Sequence, residues 1–194
     1  MLVEGESDRR AVLAVARLLG RDLEAAGARI VSMDGVTNLR TRLAELGADA
    51  ARRPSVLGLY DVGEAPVVAR MLDAAGATGA EGAAGAGVAP AERVAELERR
   101  GFYACSLDLE DELIRALGAE RVEAVLRDDG DLARFRVFQG QPAQRGRPVE
   151  AQLRRFSSTK AGRKKRFAAE LVEMLEPAEV PRPLRVLVER ASAG

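Results

Sequence analysis

Short apolar runs that each lead into an acidic turn and then an amphipathic segment constrain the fold of this chain most strongly. The first run, Leu2–Val3, leads directly into a turn that begins with Glu4 and Gly5. Apolar residues then recur at helical spacing from 11 to 19, and Gly20 is typical of a helix end. The pattern predicts a strand, a turn and a helix, with Glu4 at the carboxyl end of the strand.

The same pattern recurs three times. Further apolar runs span residues 29–33, 56–60 and 102–106, and each precedes an acidic or glycine-containing turn and a helical pattern. Strands that alternate with helices predict right-handed crossovers and a mainly parallel sheet. We therefore expect an α/β fold with a central sheet of about four strands flanked by helices.

Acidic residues follow three of these predicted strands, at Glu4, at Asp61 and in the cluster from Asp108 to Glu112. Carboxylates that meet at one edge of a parallel sheet repel one another unless a cation neutralises them, and oxygen ligands favour Mg²⁺ or Mn²⁺. The alternative is that the acids cap helices, because acidic side chains are favoured in the first helical turn. Ser7, Asp8, Asp108 and Glu110 lie where caps are expected. Glu4 and Asp61 precede their turns and are not natural caps.

Composition excludes several kinds of chemistry. The 194 residues include no histidine and one cysteine, Cys105, so disulfide frameworks, Cys/His zinc sites and histidine acid–base catalysis are impossible. The formal net charge is zero, which argues against a uniformly basic nucleic-acid binder but not against local basic patches. No long apolar segment or signal-peptide pattern occurs, so we expect a soluble cytoplasmic protein without a membrane partner.

The second half of the chain differs in character. The sequence predicts a core at 1–118 and a helical, basic extension at 119–194 that packs on it. Residues 76–90, within the core, are rich in glycine and alanine and predict a flexible loop. We expect one helical stretch over 119–139, a helix through Phe167 and Leu175, and a tail interrupted by prolines. Basic residues are concentrated between 145 and 166, and the candidates for nucleic-acid binding are Arg154, Arg155, Lys160, Arg163, Lys164, Lys165 and Arg166. A solvated helix face is the alternative explanation.

The acidic turns together resemble the Toprim domain. The resemblance rests on the segment from Leu2 to Asp8, the strand that ends in Asp61-Val62-Gly63, and Asp108 to Asp111. The spacing is most similar to the Toprim nuclease region of the OLD (overcoming lysogenization defect) ATP-dependent endonucleases. The resemblance implies a Mg²⁺-dependent endonuclease or nickase that hydrolyses DNA phosphodiester bonds, with two Mg²⁺ or Mn²⁺ ions.

The resemblance also implies roles for individual residues. Glu4 would be a catalytic residue and a metal ligand, and Lys164 would be the catalytic lysine that stabilises charge on the scissile phosphate. The remaining metal ligands would be Asp8, Asp61, Asp108 and Glu110. The implied partners are DNA, a second copy of the chain and a separate ATPase subunit. The ATPase is expected to be separate because no Gly-x-x-x-x-Gly-Lys-Ser/Thr phosphate loop occurs in these residues.

Two features leave alternatives open. Gly63 stands where many Toprim domains have a second aspartate, which favours a non-catalytic module that binds nucleic acid or an ATPase partner. Only three residues precede Glu4, fewer than a central strand usually has, so we expect either that the natural start lies upstream or that a partner once preceded this chain.

Overall fold

The computed structural model describes residues 1–47, 55–76, 88–159 and 161–193, without the side chains of 161–165. The strands are β1 (Leu2–Val3), β2 (Val31–Ser32), β3 (Gly58–Asp61) and β4 (Phe102–Cys105). The helices are α1 (Glu6–Leu18), α2 (Leu39–Gly47), α3 (Ala65–Ala74), α4 (Pro90–Arg99), α5 (Leu109–Leu117), α6 (Ala119–Asp128), α7 (Leu132–Gln139), α8 (Val149–Ser157), α9 (Ala161–Glu173) and α10 (Arg182–Ser192). Most of the predicted Gly/Ala loop, residues 77–87, lies outside the described part.

The four strands form one parallel sheet in the order β2-β1-β3-β4, which confirms the predicted α/β class. β1 is very short and central, and it is held on both sides. The amide of Leu2 donates to the carbonyl of Leu57 at 2.7 Å, and the amide of Met33 donates to the carbonyl of Val3 at 2.8 Å. Because all strands are parallel, their carboxyl ends and the turns that follow them lie along one edge.

Alternating side chains divide the core between the two faces of the sheet. Val3 and Leu59 belong to an apolar cluster with α1, α5, α9 and α10, whereas Leu2 and Tyr60 belong to a second cluster with α2, α3 and α4. Both faces of a parallel sheet are normally covered, which explains the continuous apolar character of these strands. The sheet is therefore buried, and its carboxyl edge is the place open to a ligand.

Residues from both predicted parts of the chain share the first cluster, among them Val15 of α1 and Leu171 of α9. The boundary at residue 118 stays a prediction. None of the helices in the described ranges is long and apolar enough to cross a membrane.

The carboxyl-terminal region is more helical than the sequence suggests. The predicted stretch 119–139 is two helices, separated at Gly130, whose φ of 72° ends the first. The expected tail contains α10, which begins just after Pro181 with Pro183 in its first turn, where proline is tolerated. Arg190 of α10 donates to the hydroxyl of Tyr103 at 2.8 Å and so ties this helix to β4.

Candidate functional site

The first acidic turn connects β1 to α1. Gly5 adopts an extended conformation (φ −147°) and is the N-cap, and the amide of Gly5 donates to Oδ2 of Asp8 at 3.0 Å. The prediction that Ser7 or Asp8 is the N-cap was wrong, because the helix already begins at Glu6 and Asp8 caps it from the third helical position. The hydroxyl of Ser7 instead donates to Oε1 of Glu110 at 3.0 Å, in the turn after β4.

Two hydrogen bonds hold the side chain of Asp108, which lies in the turn after β4. Its Oδ1 accepts from the amide of Asp111 at 2.8 Å, which caps α5, and its Oδ2 accepts from Nε of Arg154 at 2.6 Å. Glu110, two residues on, is only 3% exposed. The structure therefore places Arg154, which the sequence assigned to nucleic-acid binding, against an acid of this turn.

Asp61 ends β3, between the two turns. Its pKa is raised from 3.8 to about 7, first by burial and then, in order of size, by the charges of Glu4, Asp108, Glu64 and Asp8. Burial and the charge of Glu4 also raise the pKa of Glu64. Neither Glu4 nor Asp61 has a side-chain hydrogen bond to another described residue. These two side chains are thus crowded by negative charge, and no side chain in the described part of the chain donates a hydrogen bond to them.

One cavity of about 610 Å³ lies at this edge, and we call it the acidic cavity. Its lining includes all five predicted metal ligands, which are Glu4, Asp8, Asp61, Asp108 and Glu110. It also includes Asp34 and Ser158, which sequence reasoning missed. The amide of Gly35 donates to the carbonyl of Glu4 at 3.1 Å and draws the Asp34 turn to the site. The sequence shows Asp34 as part of a turn after β2. Its place in the cavity could be predicted only if β2 were known to lie beside β1.

The donor set of the acidic cavity fits a hard divalent cation, since carboxylate oxygens are the ligands that Mg²⁺ and Mn²⁺ prefer. Burial and then the neighbouring carboxylates raise the pKa of Asp61, and a bound cation would relieve the repulsion among these carboxylates. The carboxylates line the same cavity, however, without lying close enough to one another to form a metal cluster. Within the described residues, no three acidic or cysteine side chains lie close enough together to hold one ion.

Most of the basic candidates lie away from these acids or outside the described part. Arg155 is exposed on α8, and Arg166 is exposed on α9 with Glu170 at 4.0 Å. Lys160 and the side chains of Arg163, Lys164 and Lys165 lie outside the description. Their contribution to the site stays a prediction.

The four-stranded parallel sheet with an acidic cavity at its carboxyl edge defines an α/β domain whose relatives can be sought by comparison. Residues 1–48 match the family model described as "Overcoming lysogenization defect protein-like, TOPRIM domain". The fold matches the C-terminal region of the Xanthomonas campestris pv. campestris OLD protein with a TM-score of 0.74 and 24% identity, over 99% of this chain and 90% of that chain. It also matches the C-terminal region of the Burkholderia pseudomallei OLD protein with a TM-score of 0.67 and 20% identity, over 99% and 95% of the two chains.

Comparison with curated proteins gives no relative. The family model and the fold together support a Toprim domain of the OLD type, and the resemblance drawn from the three acidic turns is confirmed.

Proposed function

We propose that the chain is a Mg²⁺-dependent DNA endonuclease or nickase of the Toprim/OLD type, which hydrolyses phosphodiester bonds. The observation that carries the proposal is the convergence of five carboxylates from three separate turns on the acidic cavity. Structural roles account for Asp8 and Asp108 as caps, but Glu4 and Asp61 have no such role. Two carboxylates without a structural role, crowded at the open edge of the sheet, are the feature that favours a metal site.

The ligands of Mg²⁺ or Mn²⁺ would be Glu4, Asp8, Asp61, Asp108 and Glu110. We propose two ions, as the resemblance to the Toprim domain implies. When bound, the ions neutralise phosphate charge and lower the barrier to attack by water. Glu4 can accept the proton of the attacking water, because its carboxylate lines the acidic cavity and forms no hydrogen bond with another described side chain.

Cations of the carboxyl-terminal part would bind the phosphates. Arg154 uses its Nε for Asp108, and its two terminal nitrogens form no hydrogen bond with an acid among the described residues, so they can face a phosphate. We assign Lys164 to the scissile phosphate on the strength of the resemblance alone. Arg155, Lys160, Arg163, Lys165 and Arg166 would hold the flanking backbone.

The test is nicking of supercoiled plasmid with Mg²⁺, compared with EDTA. Glu4→Gln removes the negative charge while keeping the shape of the side chain, and we expect at least a ~100-fold loss of nicking. Glu24→Gln is the matched control, because Glu24 is exposed and lies outside the acidic cavity. Full activity of Glu4→Gln, with a far-ultraviolet circular dichroism spectrum like that of the wild type, would refute the assignment.

A second candidate is a non-catalytic module that binds nucleic acid or a separate ATPase subunit. The dispersed carboxylates and the bond between Arg154 and Asp108 favour it, as does Gly63. This module would bind a DNA duplex without nicking plasmid in Mg²⁺ or Mn²⁺. The same plasmid assay therefore separates the two functions.

The partners remain part of the proposal. A homodimer and an ATPase subunit in trans are expected from the resemblance, as is a cytoplasmic location. Sedimentation of the purified chain alone and with candidate ATPases would test the two assemblies.

A further inference from the structure

A second cavity, of about 470 Å³, lies between α2 and α3 on the other side of the Asp34 turn. One wall comes from the start of α2 and one from α3, at helical spacings of three and four residues that place each set on a single face. The lining residues are Thr37, Arg40, Thr41, Val67, Arg70, Met71 and Ala74. We call this cavity the arginine groove.

Among the described residues, the lining of the arginine groove contains two positive charges and no acid. Arg40 and Arg70 are exposed, and neither forms an ion pair with another residue in the described ranges. Asp73, three residues after Arg70 on the same helix, bonds Arg100 at 2.8 Å instead. Some helical arginines are matched by an acid within one turn, as Arg115 is by Asp111 at 2.8 Å, but Arg40 and Arg70 are not matched by any described residue. The groove is thus a local excess of positive charge in a chain whose formal net charge is zero.

The arginine groove begins where the acidic cavity ends. Gly35 lines the acidic cavity, and Thr37, two residues later, lines the groove, so their Cα atoms are at most about 7 Å apart. The residues that follow Asp61 of the acidic cavity lead into α3, whose Val67 lines the groove. A ligand that lies along this edge of the sheet would contact both.

We propose that the arginine groove binds the phosphodiester backbone of a nucleic acid whose neighbouring phosphate lies at the acidic cavity. Guanidinium groups match phosphate oxygens with two parallel hydrogen bonds, and threonine hydroxyls donate to the same oxygens. Met71 and Val67 supply an apolar floor for the sugar edge. The choice of nucleic acid over another polyanion rests on the proposed function. The proposal adds a second contact surface on α2 and α3, far in sequence from the basic stretch at 145–166.

The test is fluorescence anisotropy of a labelled DNA duplex, titrated with protein at several salt concentrations in Ca²⁺ and in EDTA, with the DNA checked on a gel afterwards. In Arg40→Gln/Arg70→Gln we expect affinity to fall about 10-fold and the slope of log K against log salt to fall by about 2. The lysine pair Arg40→Lys/Arg70→Lys should restore the slope, because it keeps the charge. Arg17→Gln/Arg21→Gln is the matched control, since both arginines are exposed at the far end of α1.

Three results would overturn the proposal. The first is that Arg40→Gln/Arg70→Gln has the affinity and salt slope of the wild type. The second is that the control pair loses as much affinity, which would mean that the effect comes from the net charge of the protein and not from the groove. The third is loss of inorganic phosphate or ATP binding in the groove variant with duplex binding unchanged. Failure of the proposed function has a different signature, because a chain that never nicks plasmid can still lose duplex binding in the groove variant.

Discussion

The carboxyl of Asp61 offers a direct test of the electrostatics of the acidic cavity. Its pKa rises from 3.8 to about 7, chiefly through burial and then through the charge of Glu4. The folded protein therefore holds this proton between about pH 4 and pH 7, where the unfolded chain releases it. By linkage, the free energy of unfolding falls as pH rises through this window, and the stabilisation present below pH 4 is lost above pH 7.

The expected magnitude follows from the size of the pKa change. A pKa that rises by about 3 corresponds to a change in the free energy of unfolding of about 4 kcal/mol, at 1.36 kcal/mol per pKa unit, before any reduction for solvent screening. Because solvent reaches the side chain, we expect about 1–2 kcal/mol. Asp61→Asn cannot ionise, so without metal it should be more stable than the wild type by about that amount at pH 8, and the difference should largely vanish at pH 4.

Urea unfolding in EDTA at pH 4, 6 and 8 measures this difference, with Asp128→Asn at the exposed end of α6 as the matched control. Mg²⁺ should reverse the order at pH 8, because an ion that binds only the folded wild type stabilises it by mass action. A difference between wild type and Asp61→Asn that does not change with pH in EDTA would refute the reasoning about the crowded carboxylates.

Two further substitutions test the sheet and the basic contact. Gly58→Ala should destabilise the fold by about 1–3 kcal/mol in urea unfolding, because a Cβ there would lie 2.6 Å from the ring of Phe102. Gly63→Ala, where a Cβ meets nothing within 4 Å, is its control, and equal stability of the two would contradict the packing argument. Arg154→Gln should lower the slope of log K against log salt for DNA by about 1 while changing stability by less than about 1 kcal/mol, since its bond to Asp108 is partly exposed. An unchanged slope would limit Arg154 to a structural role.

The strands and the first helices were predictable because their residues are constrained on both faces of the sheet. Leu2 and Val3 face opposite apolar clusters, so a run of only two residues already carries a strand signal. The edge strand β2 is shorter than the predicted run 29–33, because it pairs on one side only. α10 was not predicted, since Pro181 and Pro183 read as breaks in a sequence although they lie where a helix begins.

The candidate site was predictable where the acid directly follows a central strand. Asp34 was missed because its cavity position depends on strand order, which places β2 beside β1 and which local patterns do not reveal. The arginine groove was missed for the same reason, since α2 and α3 are separated in the chain by the residues between 47 and 65. Local sequence thus identifies residues that end strands, and only the tertiary arrangement identifies their neighbours.

The structure separates the acids that cap helices from those that do not, which bears on the two explanations that the sequence left open. Asp8 and Asp108 lie inside their turns and accept backbone amides at 3.0 and 2.8 Å, which is the capping role. Glu4 and Asp61 come before their turns, and no hydrogen bond from another described side chain reaches them. A capping carboxylate already has one oxygen bonded to a backbone amide. A carboxylate that does not cap a helix has both oxygens available to a cation, so a cation should stabilise it more. The position of an acid relative to the strand end, rather than its presence in an acidic cluster, is therefore the feature on which we propose Glu4 and Asp61 as the principal metal ligands.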